Sequence, residues 1–220
     1  MNFIANLFAS ISNFMIKGGA VMIPIFALSV IGLAIIIERI IVIRRKKGDL
    51  KAFMSKLKPH IEQGNISEAY GICAAEKTCI ARIASAILDN YGDNREKLEI
   101  AADEAIITEI PKLERHIGFL GIIATVEPLL GLLGTVTGMI KAFFVISNIS
   151  LSNPAQLANG IAEALYTTAA GLIVGIPAIA AYNYFMIRIE SINWDMEQIS
   201  TKLINYICSK SEKQNSGEKK

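Results

Sequence analysis

The sequence predicts an all-α integral membrane protein. Three transmembrane helices, with the N-terminus outside, carry a small helical cytoplasmic domain and long cytoplasmic helical extensions. Three observations lead there. The 220 residues are 52% hydrophobic with a mean hydropathy of +0.43, and the 19% that are charged are confined to certain segments. Three stretches, 18–43, 117–146 and 157–187, are each long and apolar enough to cross a bilayer. Between the first and second of these lie thirteen lysines and arginines, from Arg44 to Arg115, whereas residues 147–156 between the second and third hold none. Basic residues stay on the cytoplasmic side, so the large connection and the tail, with six more from Arg188 onward, are placed inside.

Composition also excludes much. A net charge of +2 gives no footprint for nucleic acid. Cys73, Cys79 and Cys208 have no metal-ligand spacing and are odd in number, which predicts free thiols in a reducing compartment and no metal. A Gly-rich phosphate loop, a zinc motif and a nucleophile elbow are all absent from the sequence, so no catalytic residue and no cofactor are expected. The chain reads as a non-enzyme.

In chain order, residues 1–16 place Phe3, Ile4, Leu7, Phe8, Ile11, Phe14 and Met15 at helical spacing without a charge. They predict an amphipathic helix in the periplasmic-side interface, in contact with lipid. The first crossing, 18–43, contains Glu38 and Arg39, expected to pair and snorkel toward the interface. Residues 44–115 form the cytoplasmic domain. Helical periodicity surrounds Leu50–Leu57, breaks at Gly64-Asn65, resumes over Ile80–Tyr91 with a short helix between, and ends at Gly92-Asp93-Asn94. A charged helical run, Leu98 to Arg115, is expected to be interrupted at Pro111. His60 and His116 read as solvated or interfacial.

The second crossing, 117–146, spans about 45 Å as a helix, more than the hydrocarbon core requires. Glu127 and Lys141 interrupt it, each within snorkelling reach of a surface. Gly131, Gly134, Gly138 and Ala142 give it a small-residue seam, with Thr135 on or beside that face. After the short periplasmic loop 147–156, the stretch Leu157–Tyr184 dominates the chain. It holds one carboxylate, Glu163, two adjacent hydroxyls, Thr167 and Thr168, and small residues at Gly160, Ala164, Gly171, Gly175 and Ala178. A helix facing lipid all round needs neither carboxylate nor glycine seam, whereas one packed around a polar path can use both. Counting from the outer loop, Thr135 and Thr168 each lie about 16 Å deep, so a shared midplane polar layer is expected. Lys141 and Glu163 fall at a common, shallower depth, which leaves open an ion pair or a proton-carrying role for Glu163. Ile189, Ile192, Met196, Ile199, Leu203 and Tyr206 then form a coiled-coil-like seam over the cytoplasmic extension 188–208, expected to pack with neighbours. Residues 209–220 read as a disordered tail.

Two stretches carry a family resemblance. EPLLGLLGTVTGMIKAF (Glu127–Phe143) and GIAEALYTTAAGLIVGIPAIAAYN (Gly160–Asn183) resemble the proton-channel family of ExbB, TolQ and MotA. The match is nearer to ExbB and TolQ, since MotA is expected to have four crossings. The resemblance implies a homopentamer in the bacterial inner membrane, around an ExbD/TolR-like single-span partner with a transmembrane aspartate. Together they would couple the proton motive force to a TonB-like transducer for outer-membrane transport, or alternatively to a TolA-like one. A non-conducting membrane scaffold is the further alternative. By the resemblance, Thr135, Thr167 and Thr168 line the ion path, with Glu163 in its outer half. Glu127 and Lys141 depart from the family pattern, where a small residue and a neutral polar residue or histidine are common.

Overall fold

The structure, a computed structural model, describes residues 14–148 and 154–217. It is all helical, with no strand among the described residues. We number the helices α1 (Met22–Lys46), α2 (Leu50–Gln63), α3 (Ile66–Ala75), α4 (Cys79–Asp89), α5 (Arg95–Glu114), α6 (Ile117–Asn148) and α7 (Pro154–Gly217). Among the described residues three helices are long and apolar enough to cross a membrane, carried by α1, α6 and α7. The helix expected over residues 1–16 lies outside the described residues except for its last turn, as does half of the connection 147–156. The chain divides into two compact units, one of residues up to Ile37 with His116–Tyr184, the other of Glu38–Arg115 with Phe185 onward.

In the second unit α2, α4 and α5 are each started by a local signal. Asp49 accepts from the amides of Lys51 (2.9 Å) and Ala52 (3.1 Å), Thr78 from Ala81, and Asn94 from Lys97, satisfying donors that a helix start leaves free. Gly64 ends α2 at φ +79°, the left-handed cap that glycine adopts without strain. Buried Phe53, Leu57 and Ile61 on α2, and Ile80, Ile83, Ala84, Ile87 and Leu88 on α4, form the apolar faces of this bundle. On α5 the buried positions are Leu98, Ala102, Ile106, Glu109 and Leu113, so a carboxylate occupies the core face.

Four sequence expectations change here. Pro111 lies inside α5 and does not interrupt it; the chain turns instead at Arg115–His116, where His116 takes φ +65°. Arg39 does not snorkel: it is 2% exposed. Its guanidinium pairs with Glu38 at 2.7 Å and donates to the Leu113 and Lys112 carbonyls (3.3 and 3.4 Å) at the end of α5, where a helix offers unsatisfied acceptors. The α7 seam Ile189, Ile192, Met196, Ile199 and Leu203 is buried within the chain's own second unit, and Ile207, not Tyr206, continues it. Lys210 donating to the Ile61 carbonyl (2.6 Å) and Lys58 over the Tyr206 ring (5.4 Å) place this stretch on α2. Finally, α7 runs to Gly217, into the stretch read as disordered from Ser209; residues 218–220 lie outside the described residues.

Candidate functional site

The site is built in the first unit, where α6 and α7 run antiparallel at glycine-limited distance. A Cβ on Gly138 would meet the Gly160 carbonyl at 2.8 Å and the Ala164 amide nitrogen at 2.9 Å; one on Gly160 would meet Ala142 at 2.9 Å. A Cβ on Gly171 would meet the Glu127 carbonyl at 2.5 Å, and one on Gly175 the Pro128 ring at 2.8 Å. Gly134 leaves room for the Thr167 side chain, and Gly131 for the backbone at Thr167 and Thr168. These contacts interleave along both helices, so backbone lies on backbone over several turns.

The hydroxyls fall within about one helical turn of one another along this seam. Thr167 is fully buried against Gly134, and its hydroxyl donates back to Ala164 (2.9 Å) and Glu163 (3.1 Å). Thr168 crosses the seam and donates to the Gly131 carbonyl at 3.1 Å. Thr135, half-buried, donates to its own helix at Leu132 (2.6 Å). Thr168 is therefore tied at the level of Gly131, about one turn from Thr135, and the two hydroxyls do not bond each other. A carbonyl can only accept, so each hydroxyl has its proton engaged and its lone pairs still available. In this arrangement the half-buried Thr135 and Thr168 can accept from a protonated carboxyl or a water, which an apolar wall cannot do.

Toward the loop joining the two helices, Lys141 Nζ lies 2.5 Å from Glu163 Oε1. The lysine side chain is 57% exposed and the glutamate 16%, so the carboxylate is the sheltered partner. Gly19, just before α1, closes against the same carboxylate: its φ is +68°, and a Cβ there would overlap Glu163 Oε1. Two separate reasons thus require glycine at that position. Close by, Lys17 lies 5.7 Å over the Tyr166 ring, and Phe14 meets Tyr166 edge-on at 5.2 Å. Gly19 escapes sequence reasoning because only the fold brings it to Glu163.

Glu127 corrects a further expectation. Its side chain does not snorkel to a surface; the residue is fully buried, and neither carboxylate oxygen has a hydrogen-bond partner. A second charged centre missed by the sequence lies in the other unit. Glu109 accepts from Lys112 (2.6 Å), Arg82 (2.7 Å) and Lys46 (3.1 Å), joining α1, α4 and α5. Burial pushes its carboxyl up, but these three cationic donors outweigh it and hold the group at about 2. Its place in the four-and-three spacing of Leu98, Ala102, Ile106 and Leu113 was the available signal. Burial pushes the Cys73 thiol to about 12 and that of Cys79 to about 11; with Cys208 they are free. Among the described residues no group of three or more His, Cys, Asp or Glu could hold a metal ion.

Three apolar helices, two of them locked by glycine around hydroxyls and a charged pair, define an all-helical membrane protein with a polar seam between two of its crossings. The MotA/TolQ/ExbB proton channel family pattern matches residues 75–198, and the chain belongs to this family. It is similar to the Tol-Pal system protein TolQ of Pseudomonas aeruginosa, 30% identical over 196 residues, covering 84% of this chain and 85% of that protein. The TolQ of Haemophilus influenzae is 42% identical over 95 residues, 43% of this chain and 42% of that protein, so this chain matches less than half its length. A putative biopolymer transport protein ExbB homolog of Methanothermobacter thermautotrophicus is 28% identical over 204 residues, 92% of this chain and 72% of that protein.

Proposed function

We propose that the chain is the conducting subunit of a proton-driven motor in the bacterial inner membrane. It assembles as a homopentamer around an ExbD/TolR-like single-span partner whose transmembrane aspartate faces Thr135 and Thr168, with Thr167 buried behind them on the seam. Proton flow then works a TonB-like transducer for outer-membrane transport. Each charge crossing the membrane is worth about 2.3 kcal/mol per 100 mV, so a few protons supply useful work. The observation that carries this reading is the Lys141–Glu163 pair, held in apolar helices beside hydroxyls whose lone pairs are free to accept. Polar groups inside a span are costly, and a helix pair that only had to pack would not need them.

The similarity to two TolQ proteins favours a second reading, in which the transducer is TolA-like. A non-conducting scaffold draws support from Thr135 alone, since a hydroxyl bonded to its own helix is compatible with mere packing. Proton flux into energised vesicles holding the full chain and its single-span partner separates either conducting reading from the scaffold. The expected result is flux in the native complex and its loss in Glu163→Gln with assembly intact. Absence of flux in the native complex supports the scaffold.

A further inference from the structure

Glu127 stands outside everything the channel reading uses. It is fully buried, and both carboxylate oxygens are without a partner. An uncompensated carboxylate in an apolar interior costs several kcal/mol at least, so such a group needs something to bind. Among the described residues no cation bonds it. On α1, from Met22 to Ile37, no residue is titratable. On α7 the same holds from Thr167 to Ala181, and on α6 Glu127 stands alone between Ile117 and Ile140. The titratable groups nearest along the unit are Tyr166, five residues before Gly171 on α7, Tyr182, which packs on Gly121, His116, eleven residues back along the chain and about 16 Å away, and the Lys141–Glu163 pair, which starts fourteen residues along α6 at Lys141, about 21 Å away.

One acceptor oxygen stands on the same turn of α6 as Glu127. Pro128 follows it directly and has no N–H to give the Ala124 carbonyl, which faces Gly175 across the seam. Helical side chains lean toward the N-terminus, which carries the Glu127 carboxyl back over the turn containing Ile123 and Ala124. A carboxylate and a proline-released carbonyl thus share one turn of α6, with no donor assigned to either carboxylate oxygen.

We propose that Glu127 is a second cation site of the subunit, taking one monovalent cation, H+ or Na+, on its carboxylate beside the Ala124 carbonyl. The shared chemistry is a small cation on hard oxygen ligands in a water-poor setting. The site is separate from the Lys141–Glu163 pair, which is already internally neutral. It does not depend on the subunit conducting.

The test uses the full chain purified in lipid nanodiscs and a hydrophobic carbodiimide, which adds to carboxyls that carry a proton in apolar surroundings. Modified peptides are located by mass spectrometry. The expected adduct is on Glu127, faster as pH falls, absent from Glu163, and lost in Glu127→Gln. Slowing by Na+ but not by choline at fixed pH identifies sodium as the cation; indifference to Na+ identifies the proton. No adduct on Glu127 at any pH, with other carboxyls on the chain modified, overturns the site. The assay reads occupancy without flux. A failure here therefore leaves the channel reading standing, and an absence of flux leaves the cation site standing.

Discussion

Glu109 and Glu163 are both sheltered carboxylates facing lysine, yet their surroundings make different demands. Glu109, 3% exposed, is held by Lys46, Arg82 and Lys112 together. Glu109→Ala leaves three cations converging on an empty position, an expected loss of about 3–5 kcal/mol read by thermal or denaturant unfolding in detergent. The acid response follows from the same contacts. The native carboxyl titrates at about 2 against an ordinary 4.5, so its stabilisation is fully present above about 4.5 and drains away as pH falls toward 2. Glu109→Gln should remove that acid-sensitive step from the unfolding midpoint. At Glu163 the partner is one half-exposed lysine, and the expected signature is coupling. Lys141→Met and Glu163→Gln should each lower the thermal stability of the assembled protein without dissociating it, while the double variant recovers part of the loss, a coupling on the order of 1 kcal/mol. Additive effects would show that the pair does not hold the seam, and a flux defect in Glu163→Gln alone would mark a role in the ion path.

At the scale of helices, α6 against α7 is set by side-chain absence. A Cβ on Gly138 meets backbone at 2.8–2.9 Å, and backbone cannot yield as a flexible side chain does. Gly138→Leu should therefore separate the two helices and abolish oligomer formation in native mass spectrometry, overpacking alone costing about 1–3 kcal/mol. Gly118 has nothing within 4 Å, so Gly118→Ala should be neutral or stabilise slightly through helix propensity. Thr168→Val removes the one hydroxyl that crosses the seam, whereas Thr135→Val removes only a bond within α6. Assembly should fall more in the first; if conduction falls in the second with assembly intact, Thr135 lines the path. The helices themselves were legible in the sequence, because apolar spacing and caps such as Asp49, Thr78 and Asn94 are local signals. Pro111 misleads because a proline removes only one helical bond, and tertiary packing by Leu113 and Arg39 carries α5 past it. Arg39 and Glu127 were illegible for a common reason. Whether a charged residue near a helix end reaches water depends on which neighbour covers it, and no local pattern encodes that neighbour.

At the scale of the whole chain, orientation rests on the basic residues, thirteen in 44–115 and none in 147–156. Native cysteines make poor reporters of it. Cys73 and Cys79 are buried, with thiols pushed to about 12 and 11, so a membrane-impermeant maleimide would miss them from either side. Their silence would not distinguish inside from outside. Exposed positions do: Ser67 on α3 and Gln156 in the first turn of α7 both face away from this chain's own packing. In a Cys208→Ser background, Gln156→Cys should label in intact cells and Ser67→Cys only after permeabilisation. Neither change touches a buried contact, so the fold should tolerate both. The reverse pattern would turn the chain over in the membrane. Lys141–Glu163 would then face the cytoplasm and Glu127 the outer half, so protons entering from the periplasm would meet Glu127 first.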